Sequence, residues 1–216
     1  MEFLQTTIIV IAILILILLI LKFLKPKKKS KAELKGLEGE RLVSELLKKK
    51  KVRYFTDVLL EIGTHTTQID HLVIFPDKTV LVIETKNKDG VILGKTDEQN
   101  WTQYFPGQSF HFYNPVKQNE GHIRFLHRFC DNKKVFGMHF INLVVFTSKR
   151  SSLKNVPENT IQLHQLESFI DFYNRKTFWN RSKQFTRIIR LNDQSRNKRK
   201  VKRHLDFAKN AKKFTK

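Results

Sequence analysis

The chain has a single cysteine, Cys130, among its 216 residues. An internal disulfide is therefore impossible, and folding needs no oxidising compartment. Cys130 follows Phe129 in a helical pattern, and no neighbouring residue would lower the pKa of its thiol. We therefore interpret Cys130 as a small core residue rather than a nucleophile.

Acidic residues are also scarce, since 20 Asp and Glu oppose 41 Lys and Arg and leave a formal net charge of +21. Such an excess favours polyanionic partners, either nucleic acid or an anionic lipid surface. Much of the excess lies in a lysine run after residue 22 and in a tail beyond Ser195. Charge by itself does not choose between the two classes of partner.

Charged residues are absent from Ile8 to Leu21, and this apolar run lies within a longer stretch, Phe3–Leu24. A helix over Phe3–Leu24 would be about 33 Å long at about 1.5 Å per residue, which is enough to cross a hydrocarbon core of about 30 Å. A cleaved signal peptide would begin with a basic segment, whereas Glu2 is the only charged residue before Ile8. The sequence therefore predicts a transmembrane anchor.

The lysine run after the predicted span gives the orientation of the chain. Between residues 22 and 35 only Glu33 opposes the lysines, and the N-terminal flank carries no basic residue. The positive-inside rule then predicts a single-pass protein of the cell membrane with its C-terminal part in the cytoplasm. Pro26 ends the membrane helix, and residues 25–34 form a basic juxtamembrane linker that is attracted to anionic headgroups.

Hydrophobic periodicity after the linker predicts a mixed sheet covered by helices, in the order α, β, β, β, α, β, β, α. Pro76-Asp77-Lys78 joins the second and third strands as a tight hairpin turn. Residues 90–112 are predicted to be irregular. The predicted helices are 34–51, 116–130, 165–174 and an additional amphipathic helix at 177–191, and the predicted strands are 54–62, 67–75, 79–86, 138–147 and 160–163.

The third predicted strand ends in charged residues, where Glu84 and Lys86 point to the same face with Cα atoms about 6.6 Å apart. The hairpin brings Asp70 of the preceding strand opposite this end. Glu40 falls in the middle of the apolar stripe of the first helix, so its carboxylate also faces inward. Such a carboxylate needs a partner or a cation, because an unpaired buried charge is costly.

A cluster of this kind suits metal-assisted hydrolysis of a nucleic-acid backbone. Two or three carboxylates bind Mg²⁺ or Mn²⁺, a hard cation that keeps several waters and also accepts phosphate oxygens. A nearby lysine can orient the attacking water or stabilise the pentavalent oxyanion. From the spacing alone, a surface salt-bridge cluster at the strand ends is the alternative.

Further motifs surround these residues between about residues 35 and 150. They are Gly36-Leu37-Glu38-Gly39-Glu40, Gln68-Ile69-Asp70-His71-Leu72-Val73-Ile74, Val82-Ile83-Glu84-Thr85-Lys86-Asn87, Gly90, Trp101, Asn114-Pro115, Gln118 and His122. Together they resemble the nuclease-related domain (NERD) family of the PD-(D/E)xK nuclease superfamily. The residue before Asp70 is Ile69 rather than the proline of the superfamily's name.

The resemblance implies a restriction-endonuclease-like α/β fold, with a mixed sheet flanked by helices. It also implies an active site made of Glu40, Asp70, Glu84, Lys86 and Gln118. Glu40, Asp70 and Glu84 would be the ligands of Mg²⁺ or Mn²⁺, and Lys86 would orient water or stabilise the transition state.

Two other features have both a structural and a functional interpretation. His122 shares a helix face with Gln118 and is either a hydrogen-bonded structural residue or a partner of the site. The aromatic residues between Trp101 and Tyr113 either pack against the core or stack on unpaired bases. The structural interpretation is preferred in both cases.

These patterns and the resemblance together predict a membrane-anchored, cytoplasm-facing bacterial nuclease that hydrolyses DNA or RNA, with DNA the more expected partner. Alternatives are a noncatalytic tether that binds nucleic acid or a partner protein, and a tail that lies on anionic lipid as a basic helix. The predicted segments are an anchor at 1–24, a linker at 25–34, a nuclease-like domain at 35–150, an α/β extension at 151–192 and a basic tail at 193–216. The tail residues expected to hold phosphates without sequence preference are Lys198, Arg199, Lys200, Lys202 and Arg203.

Overall fold

The computed structural model describes residues 5, 7, 13–19, 29–174 and 182–213. The chain divides into two compact units, Met1–Leu34 and Lys35–Lys216. In the first unit residues 13–19 are helical, and the predicted transmembrane helix Phe3–Leu24 lies largely outside the described residues. Within the described part of the chain, no helix combines the length and the apolar composition that crossing a membrane requires.

Five helices and nine strands are described from residue 31 onward. The helices are α1 (Lys31–Lys49), α2 (Pro115–Asn132), α3 (Leu163–Asn174), α4 (Lys183–Asn192) and α5 (Lys198–Lys213). The strands are β1 (Arg53–Ile62), β2 (His65–Ile74), β3 (Thr79–Lys86), β4 (Gly90–Leu93), β5 (Asn100–Phe105), β6 (Gln108–Tyr113), β7 (His139–Phe146), β8 (Ser151–Lys154) and β9 (Thr160–Gln162). The predicted strands correspond to β1, β2, β3, β7 and β9, and the first three predicted helices correspond to α1, α2 and α3. The predicted helix 177–191 becomes α4, and residues 175–181 lie outside the described residues.

The main sheet has the strand order β1-β2-β3-β7-β9. β1, β2 and β3 form an antiparallel meander, whereas β3, β7 and β9 run parallel. The β2–β3 turn is held by Asp77, whose Oδ1 accepts a hydrogen bond from the Thr79 backbone N–H at 2.9 Å. Because β3 and β7 pair as far as Lys86 and Phe146, the carboxyl ends of these two strands meet at one edge of the sheet.

Apolar side chains cover both faces of the main sheet, because successive residues of a strand point to opposite sides. One face packs against α2 and α4, and the other packs against α1 and α3. The first interface includes Leu72, Val82, Phe125 and Phe185, and the second includes Val73, Leu81, Val43 and Leu166. The predicted mixed α/β sheet flanked by helices is confirmed.

Cys130 lies in the core between α2 and the sheet, in agreement with its predicted structural role. Burial raises the pKa of its thiol to about 12. The reactive thiolate is therefore scarce at neutral pH, which excludes Cys130 as a nucleophile.

The prediction that residues 90–112 are irregular is wrong. β4, β5 and β6 fall in this segment and join β8 in a second sheet of order β6-β5-β4-β8. Trp101 on β5 is fully buried and stacks on Phe146 with ring centroids 6.4 Å apart, so it joins the two sheets. The strands are short and their buried positions include Gln103, so the segment has no apolar alternation that would reveal them.

The basic tail contains α5, which docks on the hairpin between β1 and β2. Lys200 and Arg203 form ion pairs with Glu61 at 2.6 and 2.7 Å. His204 Nδ1 lies 2.8 Å from Thr66 Oγ1 on the neighbouring strand. The C-terminal helix is therefore attached to the body of the protein by polar contacts.

Candidate active site

Glu84 and Lys86 occupy alternate positions at the carboxyl end of β3, so both side chains point to the same face. Glu84 is 2% exposed, and Lys86 Nζ donates to Glu84 Oε1 at 2.5 Å. Lys86 Nζ also donates to Gln118 Oε1 of α2 at 3.1 Å. The buried carboxylate thus has an ammonium partner, and a neutral amide fixes the orientation of that ammonium.

Asp70 lies where β2 separates from β3. The pairing between these strands extends from Ile74 and Val80 to His71 and Ile83. At the next residue a side chain replaces the backbone pairing: Asp70 Oδ2 accepts a hydrogen bond from the Thr85 backbone N–H at 2.8 Å. Asp70 is therefore held next to the charged end of β3, where the hairpin register predicts it.

Glu40 comes from α1, which reaches the same edge of the sheet through Gly39. A Cβ at Gly39 would lie 2.7 Å from Thr147 Oγ1 and 2.9 Å from Asn87 Cβ, so any larger residue would push the helix away. Asn87 also fastens the helix, because its Nδ2 donates to the Lys35 carbonyl at 2.8 Å. This close approach places the residue after Gly39 at the site.

Gln118 is placed by two buried asparagines that hold α2. Asn114 caps the helix, since its side chain accepts hydrogen bonds from backbone N–H groups of the first turn, and Pro115 fits the first helical position. Asn119 is fully buried and donates to the Val82 carbonyl of β3 at 2.6 Å. Gln118 lies between these two attachments, so its amide reaches the end of β3.

His122, one turn after Gln118, lies on the other side of Glu84. His122 Nε2 is 3.5 Å from Glu84 Oε2, and His122 Nδ1 is 2.7 Å from Thr67 Oγ1. Both atoms are buried, their separation of 3.5 Å is long for a hydrogen bond, and neither has a closer partner among the described residues. Buried polar atoms without partners need an explanation, and a ligand at the site is one.

The pKa values of the two buried carboxyl groups, Asp70 and Glu84, are shifted in opposite directions. Burial raises the pKa of Asp70 well above its ordinary value, and the charge of Glu84 adds to this effect. Burial also opposes the charged form of Glu84, but Lys86 and His122 outweigh it and hold the pKa of Glu84 below its ordinary value. Glu40 acts on both Asp70 and Lys86 through its charge. A cation next to Asp70 would lower the pKa of that carboxyl, because opposite charge favours the ionised form.

His71 is fully buried and lies on the opposite face of β2 from Asp70. Its Nε2 is 3.1 Å from Ser44 Oγ and 3.2 Å from the Glu40 carbonyl oxygen, so it links β2 to α1 behind the cluster. Burial lowers the pKa of His71 to about 4, which keeps the imidazole neutral at pH 7. Its role is therefore to position α1.

Comparison with known proteins places this cluster in a family. The family model of the nuclease-related domain matches residues 35–147, which extend from α1 to the end of β7 and include every member of the cluster. The chain belongs to the nuclease-related domain family. An uncharacterized protein of Bacillus anthracis is 34% identical over 152 residues, which are 68% of this chain and 66% of that relative. The chain thus covers just under two thirds of the relative's length, and no solved structure matches it.

The donor atoms of this nuclease-related domain can be compared with what a divalent cation requires. Within the described ranges, no three His, Cys, Asp or Glu side chains form a metal-binding group. Mg²⁺, however, is commonly held by one or two carboxylates together with water and substrate phosphates. Asp70 and Glu84 supply two carboxylates, and Glu84 Oε2 is a buried acceptor with no donor closer than His122 Nε2, at 3.5 Å, among the described residues. These donors fit a hard cation of this kind.

The basic residues predicted to bind nucleic acid fall into two groups on α5 of the nuclease-related protein. Lys200 and Arg203 are engaged with Glu61. The remaining members of the predicted set are exposed to solvent: Lys198, Arg199 and Lys202. His204 of α5 contacts Thr66 and His122 contacts the next residue, Thr67, so α5 lies near the His122 side of the cluster.

Sequence patterns in the nuclease-related domain, together with the resemblance, identified the charged residues and Gln118 but not the backbone group that holds Asp70. The anchor of Asp70 is a backbone N–H of Thr85, which leaves no trace in the sequence. The contact of His122 with Glu84 favours the second interpretation of that histidine, as a partner of the site. In the sequence, only the spacing of one helical turn between Gln118 and His122 indicates that His122 lies at the site.

Proposed function

We propose that this protein is a metal-dependent nuclease that hydrolyses phosphodiester bonds of DNA, or of RNA, on a restriction-endonuclease-like core. The proposal rests on one observation: Asp70, Glu84, Lys86 and Gln118 converge at a single strand end, where His122 Nε2, at 3.5 Å, is the nearest donor to the buried Glu84 Oε2 in the part of the chain that the structure describes. A surface salt-bridge cluster would leave its carboxylates solvated, whereas Glu84 is 2% exposed. Membership of the nuclease-related domain family supports the same reaction class.

Lys86 is the residue that would act on the reacting phosphate. Its ammonium is held between Glu84 and Gln118, so the charge has a fixed position and needs little reorganisation during the reaction. A fixed donor of this kind can orient water or stabilise the negative charge that develops on the phosphodiester, and its loss costs about 10²–10³ in rate. Gln118 is then a positioning residue.

Asp70 and Glu84 would hold Mg²⁺ or Mn²⁺, and Glu40, which does not form a three-carboxylate group with them in this structure, would add its negative charge from α1. When bound, the cation would lower the pKa of a water molecule and neutralise charge on the phosphodiester. The raised pKa of Asp70 supports this assignment, because the carboxyl gains its charge most readily when a cation is next to it.

We also propose a place in the cell and a route for the substrate. The apolar stretch Phe3–Leu24 would anchor the chain in the cell membrane of a bacterium, and the lysines that follow would keep the nuclease in the cytoplasm. The exposed cations of α5 would hold the phosphate backbone near the site without sequence preference.

The test is an assay of the full-length chain, purified in a non-ionic detergent, on labelled single- and double-stranded DNA and RNA. With Mg²⁺ or Mn²⁺ the wild type is expected to cleave at least one substrate, and the Glu84→Ala and Lys86→Ala variants are expected to lose this activity. Binding of nucleic acid without cleavage above these variants on any substrate would favour the noncatalytic tether and reject the nuclease.

A further inference from the structure

Lys88 is a cation near the candidate active site that the proposed reaction does not use. It follows Lys86 by two residues, beyond the end of β3, and is half-buried. Its ammonium lies 4.5 Å from the ring centroid of Phe112 and 3.4 Å from Gln103 Oε1, both of which belong to the second sheet. Lys88 therefore lies where the site edge of the main sheet meets the second sheet.

The groups around Lys88 are fixed in place. Gln103 is buried, and its Nε2 donates to the Asp89 carbonyl at 2.7 Å, which turns Oε1 toward Lys88. Phe112 packs edge-on against the buried Trp101 with ring centroids 6.4 Å apart. Both groups are neutral, so they orient the ammonium without cancelling its charge.

Two other cations of this neighbourhood, both lysines, have carboxylate partners. Lys35 pairs with Asp89 at 2.8 Å, and Lys86 pairs with Glu84 at 2.5 Å. No carboxylate in the described ranges forms an ion pair with Lys88. Burial and the positive charges of Lys86 and Lys35 lower the pKa of Lys88. A half-buried ammonium beside two other cations is costly by itself, and an anion bound there would remove this cost.

We propose that Lys88 binds the backbone phosphate that neighbours the scissile phosphodiester in an unpaired strand, DNA or RNA. This inference rests on the proposed nuclease function, which defines the scissile position. Lys88 lies close enough to Lys86 for the positive charge of Lys86 to lower its pKa, so the two ammoniums can contact neighbouring phosphates of one strand.

The second sheet indicates why the strand is unpaired. Phe110 and Phe112 pair with Gln103 and Trp101 across β5 and β6, so the two rings point to the same face as Gln103. Phe110 is 49% exposed, which leaves its ring accessible next to the Lys88 position. Bases of an unpaired strand stack on exposed aromatic rings without sequence preference, whereas paired bases are not available for such contacts.

The inference is tested by the salt dependence of binding. Full-length wild type, Lys88→Gln, Lys88→Arg and Lys49→Gln are titrated with labelled oligo(dT) and oligo(U) in Ca²⁺, which replaces Mg²⁺ to suppress cleavage. The slope of log affinity against log salt is expected to shrink by about 0.7 in Lys88→Gln, the change for one lost phosphate contact on a single strand. Lys88→Arg keeps the charge and should keep the wild-type slope. Lys49→Gln removes the same charge from an exposed position in the last turn of α1 and should also keep it.

A Lys88→Gln slope equal to that of Lys49→Gln would overturn the inference, as would a wild type that binds neither oligonucleotide. Cleavage in Mg²⁺ is measured separately on the same strands. If the salt slope of the wild type exceeds that of Lys88→Gln while the wild type cleaves neither strand, the phosphate contact stands and the nuclease proposal alone fails.

Discussion

Glu84 keeps its charge in an almost fully buried position because Lys86 Nζ lies 2.5 Å from its Oε1. The pKa of Glu84 stays below its ordinary value, although burial alone would raise it. The two residues are therefore coupled in stability as well as in the proposed reaction. Removing one partner leaves the other as an uncompensated buried charge, whereas removing both leaves none.

Lys86→Met should lower the free energy of unfolding by about 3 kcal/mol at pH 7, because it leaves Glu84 buried without its ammonium partner. Without Lys86, burial would raise the pKa of Glu84 above its unfolded-state value. The loss should then shrink as pH falls toward 5, where the carboxyl takes up a proton. Urea denaturation followed by tryptophan fluorescence measures both effects.

The double variant Glu84→Gln/Lys86→Met is the control for this prediction. It removes both charges, so it should recover most of the lost stability. If Lys86→Met is as stable as the wild type, the ion pair between Glu84 and Lys86 does not contribute to the free energy of unfolding, and the prediction is wrong.

At the scale of helices and strands, the site depends on how closely α1 and α2 approach the carboxyl ends of β3 and β7. Asn119 fastens α2 to the Val82 carbonyl, and Gly39 lets α1 contact Thr147. α5 is attached differently, through the ion pairs of Glu61. A substitution that changes the packing should therefore displace α1 or α2, whereas loss of the Glu61 charge should release α5.

Gly39→Ala should reduce cleavage strongly, because the added Cβ would meet Thr147 Oγ1 at 2.7 Å and displace the helix that carries Glu40. Gly36→Ala is the matched control on the same helix, since a Cβ there meets nothing within 4 Å. Alanine is favoured over glycine in a helix by about 1 kcal/mol, so Gly36→Ala should be as stable as the wild type or more stable. Equal activity and melting temperature in the two variants would contradict this role of Gly39.

Glu61→Gln should release α5 at neutral pH. The hydrogen bond from Lys200 lowers the pKa of Glu61, so the attachment is complete above the ordinary glutamate pKa of about 4.3 and is lost as pH falls through the lower folded-state value. The glutamine imitates the protonated state at pH 7. Amide hydrogen exchange over residues 198–208 should become faster, and the salt dependence of α5 docking should disappear.

Glu120→Gln is the control for this experiment, because the ion pair of Glu120 is with Arg124 on the same helix, α2, at 3.9 Å. Unchanged exchange of α5 amides in Glu61→Gln would show that other contacts, such as the one between His204 and Thr66, hold the helix.

At the scale of the whole molecule, the sequence predicts the parts that are strongly patterned. β1, β2, β3 and β7 are apolar enough to be recognised, and the resemblance to the nuclease-related domain gives the charged residues of the site. The second sheet is not predictable in this way, because β8 is largely polar and a buried glutamine lies on β5. The docking of α5 depends on Glu61, which is distant in sequence. The burial of Glu84 Oε2 depends on how α2 packs against β3, which the sequence pattern does not give.

The membrane anchor is a prediction of the sequence and is tested on the whole chain. Green fluorescent protein fused after residue 216 should fluoresce in the membrane fraction of a bacterial host, because it folds in the cytoplasm. Alkaline phosphatase fused at the same place should be inactive there, since it needs an oxidising compartment. Active phosphatase with a dark fluorescent fusion would reverse the topology.

The central claim is that Asp70 and Glu84 serve a divalent cation in phosphodiester cleavage, and single-turnover cleavage by Asp70→Asn tests it most directly. The asparagine oxygen can still accept the hydrogen bond from the Thr85 N–H, so the fold should persist while the charge is lost. With Mg²⁺ or Mn²⁺ we expect the rate to fall by about a hundredfold or more relative to the wild type, and EDTA should abolish wild-type cleavage. Cleavage by Asp70→Asn at the wild-type rate, or wild-type cleavage that persists in EDTA, would contradict the account.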